Sequence, residues 1–180
     1  MRRAMAAVGL IVVMAVLAVI GDRTTTAATE HKRFVEITGN GCTHDVHGPD
    51  ITLIKHNGDK LKWVLTNSCP VDTRVLVCIY RDGSKENPFE ACADDGNVEG
   101  PVTVPKLHGH KKVTCKPKSA AAETRYQDQI FVGAEIPSGD QCPSQPVASA
   151  RPARPEVRRA AAPRAKGHQL THILDFDIAQ

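Results

Sequence analysis

Apolar and polar positions alternate most clearly from Lys60 to Thr66. Leu61, Trp63 and Leu65 fall on one face and Lys60, Lys62 and Thr66 on the other, the period of two that marks a half-buried strand. This alternation places Trp63 in the core. Just before it, Asn57-Gly58 separates this run from the apolar-rich stretch that begins at Ile51. Two residues that tolerate positive φ between two such runs predict a tight hairpin. A third run sets Val75, Val77 and Ile79 against Leu76, Cys78 and Tyr80. With so little polar surface on either face, it reads as the central strand of a sheet.

Shorter patterns complete the set. Arg33–Thr38, Val102 with Val104 between Pro101 and Pro105, Lys112–Lys116 and Tyr126–Ile136 read as strands, and Thr43–Asp50 and Ser68–Asp72 as loops. Arg81–Gly100 has no strand pattern and is long for a connection in one domain. Cys92 is expected to pin it and Phe89 to tuck into the sandwich edge, an exposed recognition aromatic being the alternative. With no amphipathic helix, the chain is expected to be all-β, an antiparallel β-sandwich of about seven strands. That sandwich would span residues 29–142, closed by the turn residues Pro137, Ser138 and Gly139.

The ends differ from this body. Arg2 and Arg3 precede an uncharged apolar run from Ala4 to Ile20, the layout of a secretory signal peptide ending near Ala28. An uncleaved membrane anchor is the alternative, the run being near the lower limit for a span. Beyond Cys142, residues 143–180 form a Pro/Ala/Arg-rich tail. Arg151, Arg154, Arg158, Arg159, Arg164 and Lys166 face a single acid, Glu156, between Pro143 and His168. Such a stretch buries too little surface to offset its ordering entropy and is expected to be mostly disordered. Its last residues, LTHILDFDIAQ, regain apolar character, enough for a brief helix or strand.

Export sets how the cysteines are read. Cys42, Cys69, Cys78, Cys92, Cys115 and Cys142 form an even set beyond the signal, as expected of disulfides in a secreted or periplasmic protein. Cys42–Cys142, Cys78–Cys92 and Cys69–Cys115 are the favoured pairs, although sequence alone does not choose among the connectivities. No C-x-x-C occurs, which argues against a zinc ribbon or a thioredoxin-like site. Removing the signal takes Arg2, Arg3, Arg23 and Asp22 from a chain of formal charge +3 and leaves a nearly neutral body, so no nucleic-acid partner is expected. The tail's basic residues suit an anionic surface, with a solvated linker as the plainer alternative.

Candidate chemistry is confined to histidines. His44 and His47 in HDVH and His108 and His110 in HGH are candidate copper or zinc ligands if the fold brings the two pairs together, and His56 stands beside the expected hairpin turn. Asp94-Asp95 in the long loop reads as solvated surface before calcium. G-x-S-x-G, H-E-x-x-H and P-loop patterns are missing, so an enzyme would need dispersed residues.

NGDKLKW at Asn57–Trp63, a strand, NPF at Asn87–Phe89, PVTVP at Pro101–Pro105, KVTCK at Lys112–Lys116 and a late strand bearing Tyr126 follow in that order. Across Ile51 to Ile136 this order resembles small exported bacterial proteins of cupredoxin-like or immunoglobulin-like sandwich type, many without a known function. The resemblance implies a sandwich fold; no cofactor is expected, with copper or zinc as the alternative. A blue-copper set would also need His and Met after Cys115, where KPKSAAAETRY follows, and all three methionines lie in the signal. The immunoglobulin pattern lacks its Tyr-x-Cys corner at Cys115. The expected function is therefore that of an exported, non-enzymatic interaction or structural module, its contacts offered by Arg81–Gly100 and the tail. Metal binding by His44, His47, His108 and His110 is the alternative.

Overall fold

The computed structural model describes residues 27–39, 41–147 and 173–180. All but the end of the expected signal, and the tail from 148 to 172, lie outside these described residues. Among them are eleven strands: β1 (Glu30–Thr38), β2 (Thr43–His47), β3 (Ile51–Ile54), β4 (Lys60–Asn67), β5 (Thr73–Arg81), β6 (Ser84–Lys85), β7 (Ala93–Asp94), β8 (Val102–Val104), β9 (Gly109–Cys115), β10 (Arg125–Val132) and β11 (Ile173–Ala179). One sheet runs β2-β1-β4-β9-β7 and the other β3-β11-β10-β5-β6, with β8 also on β5. The chain is all-β as expected. Both sheets are mixed rather than antiparallel, because β1 runs parallel to β4 and β11 parallel to β3.

Trp63, Leu61 and Leu65 point inward and meet Leu53, Ile79, Phe89, Tyr126, Ile130 and Phe176 in one core drawn from both sheets. β5 is covered on its outer side too. Leu76, Cys78 and Tyr80 pack there with Phe131, Cys142 and Ile136, so the lack of polar surface on either face of this strand has a direct cause.

The hairpin expected at Asn57-Gly58 is not formed. The turn is real, with Gly58 at φ +77° and its N–H donating to the Lys55 carbonyl, but it carries the chain from β3 in one sheet to β4 in the other. The apolar faces of the two runs oppose each other across the core instead of lying side by side. Asp59 fixes this crossing: its buried carboxylate accepts the N–H groups of Ile54 and Thr29, both at 2.9 Å. The segment Thr43–Asp50, expected as a loop, contains the edge strand β2. Only Val46 and His44 face inward on it, too few positions for the alternation to stand out.

The chain also re-enters the fold after Cys142. β11 is the docking strand that the apolar last residues allowed, and it takes an interior place between β10 and β3. Phe176 stacks between Phe89 and Tyr126, with ring centroids 5.7 and 5.6 Å away. The backbone of β11 is held by Arg33, which lies in β1 with only 1% of its surface exposed. Its guanidinium donates to the carbonyls of Asp175 and Pro49 and faces the Asp128 carboxylate, Nε to Oδ2 3.9 Å. That carboxylate also accepts the Trp63 indole N–H at 2.7 Å. Burial pushes Asp128 above the usual carboxylate range, opposed by Arg33 and by the Trp63 hydrogen bond.

Three disulfides close the structure, and none is a pair favoured by the sequence. Cys42 bonds Cys69, Cys78 bonds Cys142 and Cys92 bonds Cys115, with Cα atoms 5.7, 5.5 and 4.3 Å apart. Parallel pairing of β1 with β4 brings the two chain segments just past Ile37 and Asn67 together, which is where Cys42 and Cys69 lie. Cys78 faces the outer side of β5, where the stretch around Cys142 packs against it. Cys92 enters the short β7 ladder against β9, which ends at Cys115. No helix among the described residues is long and apolar enough to cross a membrane.

Asp59 supplies a pH test. Burial pushes its carboxyl up, but the N–H groups of Thr29 and Ile54, with His31 beside them, bring it net below its ordinary value. A lowered folded value means that its stabilisation is present above the unfolded carboxylate range, near ~4, and is lost as pH falls through the folded value. Asp59→Asn should cost about 1–3 kcal/mol at pH 7. Urea midpoints of the two proteins should stay apart down to pH ~4 and converge as pH falls further, through the folded value; a gap that persists undiminished well below pH ~4 would contradict the assignment.

Candidate functional site

β4 ends on Asn67, a fully buried side chain that organises one end of the molecule. Its Nδ2 donates to the carbonyls of Val71 and Val104, both at 3.0 Å, and its Oδ1 accepts the Cys69 N–H at 2.9 Å. Its own carbonyl accepts the His108 N–H, and that of Cys69 accepts the Leu107 N–H. Lys106 N–H donates to the Asp72 carboxylate at 2.9 Å. These bonds stitch Ser68–Asp72 to the turn before β9, and the Cys42–Cys69 bridge adds the β1–β2 turn. Three loops thus form one apex.

The backbone there is held in an uncommon state. Cys42, Leu107 and His108 have φ of 50°, 54° and 73°, a region in which a bulky non-glycine residue is an outlier. Each such residue costs of order 1–3 kcal/mol and persists only where its surroundings over-determine it. Gly109 is required for closure, since a Cβ at that position would stand 1.7 Å from the Pro105 carbonyl oxygen. What this backbone presents is apolar: Leu107 is 62% and Val71 54% exposed, with Pro70, Lys106 and His108 exposed around them.

The four candidate metal ligands are dispersed. His44 and His47 stand three apart on a strand and so point to opposite faces. His44 faces inward and is almost fully buried, its Nδ1 3.7 Å from Oε2 of Glu135, which ends the short 3-10 turn Gly133–Glu135 after β10. Burial pushes that Glu135 carboxyl up, partly offset by the Val132 N–H. His47 is exposed, its ring stacked on Phe34 at 5.4 Å with Asp45 and Glu36 nearby. His108 belongs to the apex and His110 to β9. The lateral row from His44 passes through Ile37 and Asn67 to Gly109, so three strand spacings, about 14 Å, separate the two pairs. Among the described residues no group of three or more His, Cys, Asp or Glu side chains is placed to hold a metal ion. His56 lines a separate open cleft of about 260 Å³ with Lys55, Glu90 and Lys116.

The long Arg81–Gly100 segment, expected as a contact surface, is fastened down along its length. Phe89 is buried edge-on to Trp63, centroids 5.7 Å apart, and Cys92 is bridged to β9. Asp94 accepts the Thr114 hydroxyl at 2.6 Å, and Asp95 accepts Lys111 Nζ and the Lys112 N–H. The Lys111 hydrogen bond, helped by that backbone bond, draws the Asp95 carboxyl below its ordinary value. The apex was harder to find in the sequence. Its one signal is an apolar Leu107 standing between Lys106 and His108 in a turn.

No protein-family model matches this chain, and no curated protein matches it.

The close approach at Gly109 is testable. Gly109→Ala must displace the Pro105–Gly109 turn and should cost about 3 kcal/mol in urea denaturation, while Gly41→Ala, which meets nothing within 4 Å, should stay within about 0.5 kcal/mol of the parent. Equal effects at the two positions would show that the apex is not held closed in this way.

Proposed function

We propose that this chain is an exported, non-enzymatic β-sandwich module of the cell envelope or extracellular space, which docks a partner protein through the apex around Leu107 and Val71. The observation that carries the reading is the exposure of two large apolar side chains on loops that the fold keeps strained. Backbone strain collects at binding sites because rigid, pre-set loops lose less entropy on contact. An apolar centre with a rim of Lys106 and His108 matches the usual anatomy of an interface, in which a few central anchors supply most of the affinity.

Export is supported by the Arg2-Arg3 and Ala4–Ile20 pattern of the amino terminus and by three disulfides, which persist in oxidising compartments. The basic residues between Arg151 and Lys166 would add attraction to an anionic surface without specificity of their own.

A photo-crosslinking residue at position 107, in protein exported by its own host, tests the docking surface. A discrete adduct is expected there and not from position 82, at the far end of β5. Val71→Asp should lower the adduct's apparent affinity roughly thirtyfold, the effect of losing about 2 kcal/mol at an anchor. Adducts of equal yield from both positions would overturn the assignment.

A further inference from the structure

β11 is bound the way an added strand is bound by a receptor. It lies inside its sheet, yet neither neighbour precedes it closely in the chain: Arg125–Gln129 of β10 pair with it on one side and Ile51–Ile54 of β3 on the other. Its carboxy-terminal end is held by the Ile178 N–H on the Thr124 carbonyl and by the Lys55 N–H on the Ala179 carbonyl. The seat reads side chains as well as backbone. Phe176 and Ile178 fill the core, while outward Asp175 accepts Gln127 Nε2 at 3.0 Å and Asp177 faces Arg125 at 3.5 Å. Main-chain ladders for affinity and alternate pockets for specificity are the features of recognition by strand addition.

Two further facts separate this strand from the body that holds it. All three disulfides lie between Cys42 and Cys142, so every staple remains when β11 leaves. The chain on either side of residues 148–172 also converges on one residue. Val147 is hydrogen-bonded through its N–H and carbonyl to the Gln129 side chain, and Ile173 is paired with the Gln129 backbone. A gap of about 10 Å needs about three or four extended residues. A stretch as long as 148–172 reaches roughly 80 Å, far more than closure within one molecule requires.

From these observations we infer that the slot between β3 and β10 is a strand acceptor that exchanges its occupant between molecules, the Ile173–Ala179 segment of one copy filling the slot of a second copy. The partner is this chain itself, because the seat is shaped to this segment. Tethering gives the chain's own strand an effective concentration in the millimolar range, so the closed monomer dominates in dilute solution and exchange takes over as protein concentration approaches that range.

The test uses full-length protein. Two preparations with different affinity tags are mixed at about 1 mM, incubated, and sized by light scattering after dilution. A dimer carrying both tags is expected, with a yield that rises with concentration. A full-length Phe176→Asp/Ile178→Asp variant should form no dimer by itself. Its emptied slot should take up a fluorescein-labelled peptide of residues 172–180 at least tenfold more tightly than wild type does, since the tethered strand no longer competes. If the variant does not fold, wild-type protein still reads out through its dimer and through slow, saturable peptide uptake that a Phe176→Asp peptide does not reproduce. Wild type that stays monomeric through millimolar concentration and takes up no peptide overturns the inference. So does a dimer that forms equally well in the variant, because it would have to use another surface.

Discussion

The guanidinium of Arg33 and the carboxylate of Asp128 face each other in the middle of the core, 1% and 0% exposed, and much of the fold is arranged so that this charge pair can exist there. Removing two ions from water costs several kcal/mol apiece, and their attraction offsets this only when the remaining donors and acceptors are satisfied. The structure supplies most of those partners from separate places, leaving Arg33 Nε and Asp128 Oδ1 without a hydrogen bond among the described residues. Trp63 comes from β4, the Pro49 carbonyl from the loop after β2, and the Asp175 carbonyl from β11. Gly48 leaves the space that lets that loop pass, since a Cβ there would stand 3.0 Å from Arg33 Cδ. The pair thus ties both sheets to one another and makes the carboxy-terminal strand part of the core's electrostatics.

Around this centre, covalent and hydrogen-bonded ties divide the work. Cys42–Cys69 secures the apex, Cys78–Cys142 holds residues 136–147 over the outer face of β5, and Cys92–Cys115 binds the long loop to β9. Each joins segments that the strand ladders alone leave loosely attached. By limiting the unfolded chain, such bridges typically stabilise by about 2–4 kcal/mol each. A body braced this way can hold Leu107 and His108 at positive φ and can keep its shape while one unbridged strand exchanges.

The sequence was most informative where a residue's neighbours along the chain are also its neighbours in space. Trp63 on an alternating strand and β5 as a strand without a polar face were legible for that reason, and Phe89 was expected inward as a lone aromatic in a polar loop. Asn57-Gly58 marked a true turn, but a turn signal does not say which strands pair, and Asp59 takes the amide that a hairpin would have used. The disulfide pairs were illegible because the parallel β1–β4 register and the path of residues 136–147 decide them. The apolar last residues allowed a brief docking strand, but a short run following a stretch rich in Pro and Arg carried no sign that β11 takes an interior place between β10 and β3. For the candidate sites, histidine spacing gave no guide to strand faces, and an exposed leucine in a basic turn has no pattern of its own.

A double-mutant cycle on the central pair tests most directly whether the core depends on it. Asp128→Leu and Arg33→Met should each cost about 3–5 kcal/mol in chemical denaturation, because each leaves the other charge buried and unpaired. The double variant should be no less stable than the worse single, a coupling of several kcal/mol. Costs that simply add would mean that the two charges do not depend on each other, and would contradict the central role of the Arg33–Asp128 pair.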